Sequence, residues 1–242
     1  MSHLIFGEGI TVRFGGVVAL SNVDFHVDNG EIVGLIGPNG AGKTTLFNVI
    51  SGLNRPQKGR VIFKNKNVTG LKPHKICKLG IARTFQIVRV FPSMTVFNNV
   101  KVAAVNSPRK VNEPIPSQVA KLIDFIGLTD KVHFVVKDLT LVEQKLVEVA
   151  RALATSPELL LLDEPIAGLN PAESVMYTNK IREIRDDFGI SVFWIEHHIK
   201  SISSICDRVI VLNYGEKICE GKCEEVLRDE AVVRAYLGES VA

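Results

Sequence analysis

Nowhere in the 242 residues do about 18 or more uncharged apolar residues run together. That absence excludes a membrane-spanning helix. The opening MSHLIFGEGITVRF lacks the basic and apolar segments of a secretory signal, so the chain is expected to stay in the cytosol. A basic stripe is missing too: the formal net charge is only +3, and the lysines and arginines are scattered among the acids. No nucleic-acid partner is therefore expected. Cys77, Cys206, Cys219 and Cys223 form no C-x-x-C pair, and no histidine stands near the last two to complete a metal set, so free, buried or half-buried thiols are expected. Repeats and low-complexity stretches are also lacking, which leaves the alternation of strand and helix patterns to show the organisation.

With 46% hydrophobic residues the chain can bury one sizeable core, in one domain or two closely packed lobes. Short strands are predicted at Ile10 to Phe14, Val23 to Val27, Glu31 to Ile36 and Arg60 to Phe63, and a short helix at His74 to Leu79 ending at Gly80. From about Phe85 to Thr140 the pattern is helical, interrupted by the surface connection SPRKVNEPIPS. After it come a helix (Glu143 to Thr155), a strand (Leu159 to Asp163), a helix (Ala172 to Asp187), a strand (Ser191 to Ile195), another helix and a strand (Arg208 to Leu212). From Gly215 onward a short strand and two helices are expected, with a packing role. Strands alternating with helices predict an α/β fold with a mostly parallel sheet covered on both faces.

Gly37, Pro38, Asn39, Gly40, Ala41, Gly42, Lys43 and Thr44 fit G-x-x-x-x-G-K-[ST], between a predicted strand and a predicted helix, with Thr45 following. Such a loop lets backbone N–H groups surround phosphate oxygens at a helix N-terminus, while the lysine reaches the β- and γ-phosphates and Thr44 offers its hydroxyl to Mg²⁺. Downstream, Leu159 to Leu162 deliver Asp163 and Glu164 at the carboxyl end of a buried strand, where open α/β sheets bind ligands. Asp163 suits a Mg²⁺ shell and Glu164 the attacking water; a pair of helix-capping acids before Pro165 is the alternative. His197, in WIEHHIK, follows a strand at the same edge, in reach of a γ-phosphate or in a structural role. Gln86, in RTFQ, can bridge metal or water to the helical stretch.

Together these motifs, with the loop Ala167 to Asn170, resemble the ABC transporter ATPases across nearly the whole chain, and RFGGVVALSNV, RTFQIVRVFPSMTVFNNV and LDEPIAGLNPAE look similar to the LivG-type subunits of branched-chain amino acid importers. The resemblance implies a P-loop NTPase fold with an N-terminal antiparallel β subdomain and an inserted α-helical subdomain, dividing one domain into a catalytic lobe (about 1–85 and 156–242) and a helical one (about 86–155). It implies ATP and Mg²⁺ as cofactors, transmembrane permease subunits as partners, and a peripheral place on the inner face of the cell membrane. An exporter of the lipopolysaccharide type, and an ATP-binding regulatory module with little turnover, are the other readings. In the family an aromatic residue stacks on adenine, and Phe14 stands at that place, with a core phenylalanine as the alternative. The stretch from Ile87 to Asn99, rich in apolar residues, is the candidate contact with a permease, or else a core-packed loop and helix.

One departure stands out. Where the family has a signature close to L-S-G-G-Q, this chain has Leu139, Thr140, Leu141, Val142 and Glu143. A β-branched Val142 in place of the second glycine is expected to resist a positive φ and to hinder close approach of backbone to phosphate. Since the signature acts in trans on a partner's nucleotide, the resemblance favours a heterodimer with a second ATPase subunit, with a homodimer as the alternative.

Overall fold

The computed structural model describes residues 3–108 and 113–237. Strands β1 (Ile5–Phe14) and β2 (Val17–Val27) form an antiparallel hairpin, which β4 (Lys58–Phe63) and β5 (Lys66–Asn67) extend into a four-stranded sheet ordered β2-β1-β4-β5. β1 starts five residues before the predicted Ile10. The register shifts between Gly7 and Ile10, where Gly9 takes φ 60°, and this bulge breaks the alternation by which sequence patterns reveal a strand.

The second sheet holds β3 (Ile32–Ile36), β6 (Ile81–Arg83), β7 (Leu159–Asp163), β8 (Ser191–Ile195), β9 (Arg208–Asn213) and β10 (Glu216–Gly221), in the order β10-β9-β3-β8-β7-β6. Every pairing is parallel except that of β10 with β9. All residues of β3, β7 and β8 are buried, which is why they read as unbroken apolar runs. One core lies between the two sheets and α1 (Lys43–Ile50), with Phe193 stacked on Phe25 and tilted against Phe47. The other joins the opposite sheet face to α3 (Val96–Val105), α4 (Ile115–Phe125), α5 (Leu141–Leu153) and α6 (Pro171–Phe188) around Trp194 and Tyr177.

Two predicted stretches differ in form. Phe85 to Thr95 is irregular backbone rather than helix; Asn99 holds it in shape by accepting from Phe91 N–H and donating to the Phe91 and Thr95 carbonyls. The proline-rich connection contains the start of α4, whose second residue is Pro116, while 109–112 lie outside the described residues. α2 (Pro73–Leu79) ends at Gly80, with φ 109°, as expected. α7 (Ile199–Ile205) is the helix expected between β8 and β9, and β10 with α8 (Cys223–Val226) and α9 (Glu230–Leu237) match the strand and two helices expected of the tail. All four cysteines are free thiols, Cys223 buried and the others half-buried.

Candidate functional site

The loop from Gly37 to Gly42 joins β3 to α1 at the carboxyl edge of the parallel sheet. It is clamped from outside. A Cβ on Gly37, at φ 148°, would fall 2.1 Å from the Leu212 carbonyl oxygen, and one on Gly42, at φ 100°, 2.6 Å from that of Ala19. The Ala41 carbonyl accepts from Gly215 N–H at 3.1 Å, fixing the loop to the β9–β10 turn. Gly42 caps α1 with no side chain, so the first-turn N–H groups are free to meet an anion, with Thr44 exposed and Thr45 half-buried among them. Asn39 and Gly40 are exposed and Pro38 half-buried at the mouth. Lys43 is buried and its Nζ donates to the Gly37 and Pro38 carbonyls at 2.6 and 3.0 Å. Burial holds its pKa below the usual lysine value, against the pull of Glu164, Asp163 and Glu196.

β7 and β8 bring the acids to the same edge. Asp163 accepts from Arg83 at 2.7 Å through Oδ2, with both side chains nearly inaccessible, and its Oδ1 is buried with no partner among the described residues. Burial pushes the Asp163 carboxyl above its ordinary value although Arg83 opposes the shift. Arg83 also donates to Asn48 Oδ1 (2.7 Å) and Ser51 Oγ (2.9 Å), tying β6 to α1.

Glu164 sits at φ 46°, its N–H bonded to the Ile195 carbonyl at 3.0 Å. This left-handed turn brings its side chain between two others: Gln86 Nε2 donates to Oε2 at 2.7 Å, and His197 Nδ1 lies 4.0 Å from Oε1. The helix-capping alternative for these acids does not describe this geometry. Glu196, 1% exposed, accepts from His197 N–H at 2.9 Å and lies 3.5 Å from His197 Nδ1. Its carboxyl is pushed up by burial, and among the charges acting on it is that of buried Lys145, on α5.

Phe14 is 53% exposed at the β1–β2 turn and belongs to neither core, so the core-phenylalanine alternative fails. The signature residues lie at the start of α5. Thr140 is its N-cap, and its hydroxyl and the Glu143 carboxylate each bond the other's backbone N–H. Leu139 and Val142 are buried, Leu141 is 45% exposed, and Leu141 lies where a Cβ on Gly168 would meet it at 3.2 Å. Val142 is the second helical residue and is not among those with positive φ, which corrects the expected backbone strain: the position asks for helical dihedrals that valine adopts.

Three charged residues of this cluster escaped the sequence reading. Glu196 was visible as the acid directly before His197; Arg83 opens the RTFQ stretch without a role of its own there, Lys145 carries no motif, and only the fold shows where the two point.

A phosphate loop with a buried lysine, facing two acids from the next strand but one, defines a P-loop nucleoside triphosphatase. A family model described as ABC transporter matches residues 20–167, and one described as Branched-chain amino acid ATP-binding cassette transporter matches residues 216–242. The chain is 37% identical over 251 residues to the high-affinity branched-chain amino acid transport ATP-binding protein LivG of Salmonella typhimurium, covering 98% of both chains. It is 35% identical over 247 residues to BraF of Pseudomonas aeruginosa, a protein of the same description, covering 96% of this chain and 97% of that one. The solved ADP conformation of MJ1267, an ATP-binding cassette of an ABC transporter, superposes with a TM-score of 0.90 at 32% identity, covering 99% of this chain and all of that one. The chain belongs to the ABC transporter ATP-binding family and has its ATPase fold. Among the described residues no helix is long and apolar enough to cross a membrane.

Proposed function

We propose that the chain is the ATP-hydrolysing subunit of a transporter that imports branched-chain or other hydrophobic amino acids. The names of the LivG and BraF relatives, matched over nearly the full length, support the cargo class and the import direction. One observation carries the catalytic reading: Glu164 is held between Gln86 and His197 beside a preformed phosphate loop.

In this reading the Gly37 to Thr45 segment binds the triphosphate, with Lys43 leaving the loop carbonyls for the β- and γ-phosphates. Phe14 stacks on adenine. Glu164 orients and deprotonates the attacking water, and His197 contacts the γ-phosphate and is itself positioned by Glu196. The site suits Mg²⁺, because Asp163 keeps one buried carboxylate oxygen without a partner among the described residues and Thr44 is exposed at the start of α1. The chemistry a bound Mg²⁺ would supply here is positive charge against the charge that develops on the phosphates. Asp163, Thr44 and Gln86 would hold it.

Residues 86–155 act as a helical lobe hinged on the catalytic lobe at Gln86, and two cassettes meet head to tail, each signature facing its partner's nucleotide. Val142 replaces a glycine there, which favours a different cassette as partner. The pair works on the cytoplasmic face beside permease subunits, which contact Ile87 to Asn99, where Ile87 is 82% exposed. Glu164→Gln is the test: ATP binding measured by equilibrium titration should persist while steady-state hydrolysis falls by roughly 10²- to 10⁴-fold. Undiminished hydrolysis in this variant would remove Glu164 from the reaction.

A further inference from the structure

Outside the nucleotide site, three donors of metal-ligand type converge where β1 begins and β2 ends. The Leu4 N–H bonds the Val27 carbonyl at 2.9 Å, so His3 lies across from the residues flanking Val27. Those residues are His26 and Asp28. His3 Nδ1 is 2.6 Å from Asp28 Oδ1, the His3 and His26 rings have centroids 4.2 Å apart, and one ligand atom from each of the three residues lies within 4.8 Å of the others. Glu220 Oε1, from β10, is 3.6 Å from His26 Nδ1.

We propose that His3, His26 and Asp28 form a binding site for a divalent cation of the zinc class, with Glu220 in reach as a fourth ligand. Two imidazoles and a carboxylate are the donor set such ions take, whereas Mg²⁺ and Ca²⁺ prefer all-oxygen shells. A tetrahedral zinc ion with bonds of about 2.0–2.2 Å needs its ligand atoms about 3.3 Å apart. The His3–Asp28 pair must therefore open slightly and His26 must close in. The side chains are free to do so, being 41%, 39% and 33% exposed for His3, Asp28 and His26. The cation takes the place of the hydrogen between His3 Nδ1 and Asp28 Oδ1, and the neutral imidazole then carries its one N–H on Nε2.

The surrounding charge permits a cation. Arg208 donates to the His26 carbonyl and acts on His26 and Asp28, but it is paired with two acids, Glu31 and Glu220, while Lys217 is paired with Glu220 at 2.7 Å. A bound ion would pin the segment before β1 to the end of β2, cross-linking residues 3 and 28 on the side of the molecule that the ATPase reaction does not use.

The test uses the tag-free, nucleotide-free full chain with Co²⁺ as an optical probe and Zn²⁺ as competitor, without Mg²⁺. Expected is one ion per chain, visible d–d bands, no thiolate-to-cobalt charge-transfer band, and a rise in melting temperature that chelator reverses. His3→Gln and His26→Gln should each weaken binding at least tenfold and abolish that rise, leaving ATP hydrolysis unchanged. A thiolate band would assign the ion to the free cysteines and overturn the proposal. So would unsaturable binding, or an affinity in both variants that equals that of the parent chain.

Discussion

Replacing Arg83 by methionine is expected to lower stability by about 3–5 kcal/mol, the cost of breaking one side of a buried ion pair. The side chains of Arg83 and Asp163 are only 6% and 3% exposed and meet at 2.7 Å, and the guanidinium makes two further bonds, to Asn48 and Ser51. Burial holds the Arg83 pKa down and the Asp163 pKa up even with the pair intact, so desolvation outweighs attraction on both sides. Arg83→Met withdraws the main compensation Asp163 has, leaving the weaker attraction of Lys43, whereas removing both charges strands none. Urea unfolding in chelator without nucleotide should place Arg83→Met in that range. The double variant with Asp163→Asn should be more stable than the sum of the single losses by about 1 kcal/mol or more. A loss below about 1 kcal/mol for Arg83→Met, or strict additivity, refutes the reasoning.

Phe14→Ala should weaken ATP affinity by about 1–3 kcal/mol, roughly 5- to 150-fold, with little change in melting temperature because the ring is already exposed; an unchanged dissociation constant would show that adenine stacks elsewhere. Val142→Gly should destabilise the chain by about 2–3 kcal/mol, a few tenths from helix propensity, since valine is itself a poor helix former, and the rest from the buried side chain, measured by chemical denaturation; a neutral effect would contradict the packing at the start of α5. Burial raises the Glu196 pKa above the ordinary 4.5, so its contribution to stability is full below that value and is lost as pH rises through the folded pKa. Glu196→Gln cannot titrate, and its stability relative to the parent chain should improve from pH 5 to 8; a constant difference across that range counts against the raised pKa.

The buried strands were legible because both faces of β3, β7 and β8 are covered, leaving no polar residue within Leu159 to Leu162 to blur the run. The phosphate loop was legible for a different reason: close approach of Gly37 and Gly42 to the Leu212 and Ala19 carbonyls leaves no room for a side chain, so the spacing of glycines records the contacts. What escaped was long-range or side-chain borne. The first half of β1 hid behind a bulge at Gly9, and the Phe85 to Thr95 segment owes its shape to one buried asparagine rather than to any period. His3 and Asp28 are 25 positions apart, and no spacing rule joins them. Val142 misled because a glycine in a motif suggests a positive φ, whereas here the backbone is already helical and the effect of the substitution is one of size.

The charges at the sheet edge explain why such a site needs help before it can hold a triphosphate. Asp163, Glu164 and Glu196 face Lys43, Arg83 and Lys145, an even match of acids and bases within one cluster. Arg83 is committed to Asp163, and Lys145 is buried on α5 beside Glu148. Only Lys43, now resting on loop carbonyls, can turn toward substrate. A polyanion arriving beside three carboxylates would meet repulsion that one lysine and the free N–H groups of α1 only partly offset. The remaining positive charge has to come with the substrate as its metal ion, or across an interface from a partner cassette. Because α5 carries both the signature at its first turn and Lys145 further along, a displacement of that helix would change the field at Glu164 and Glu196 as well as the face offered to the partner.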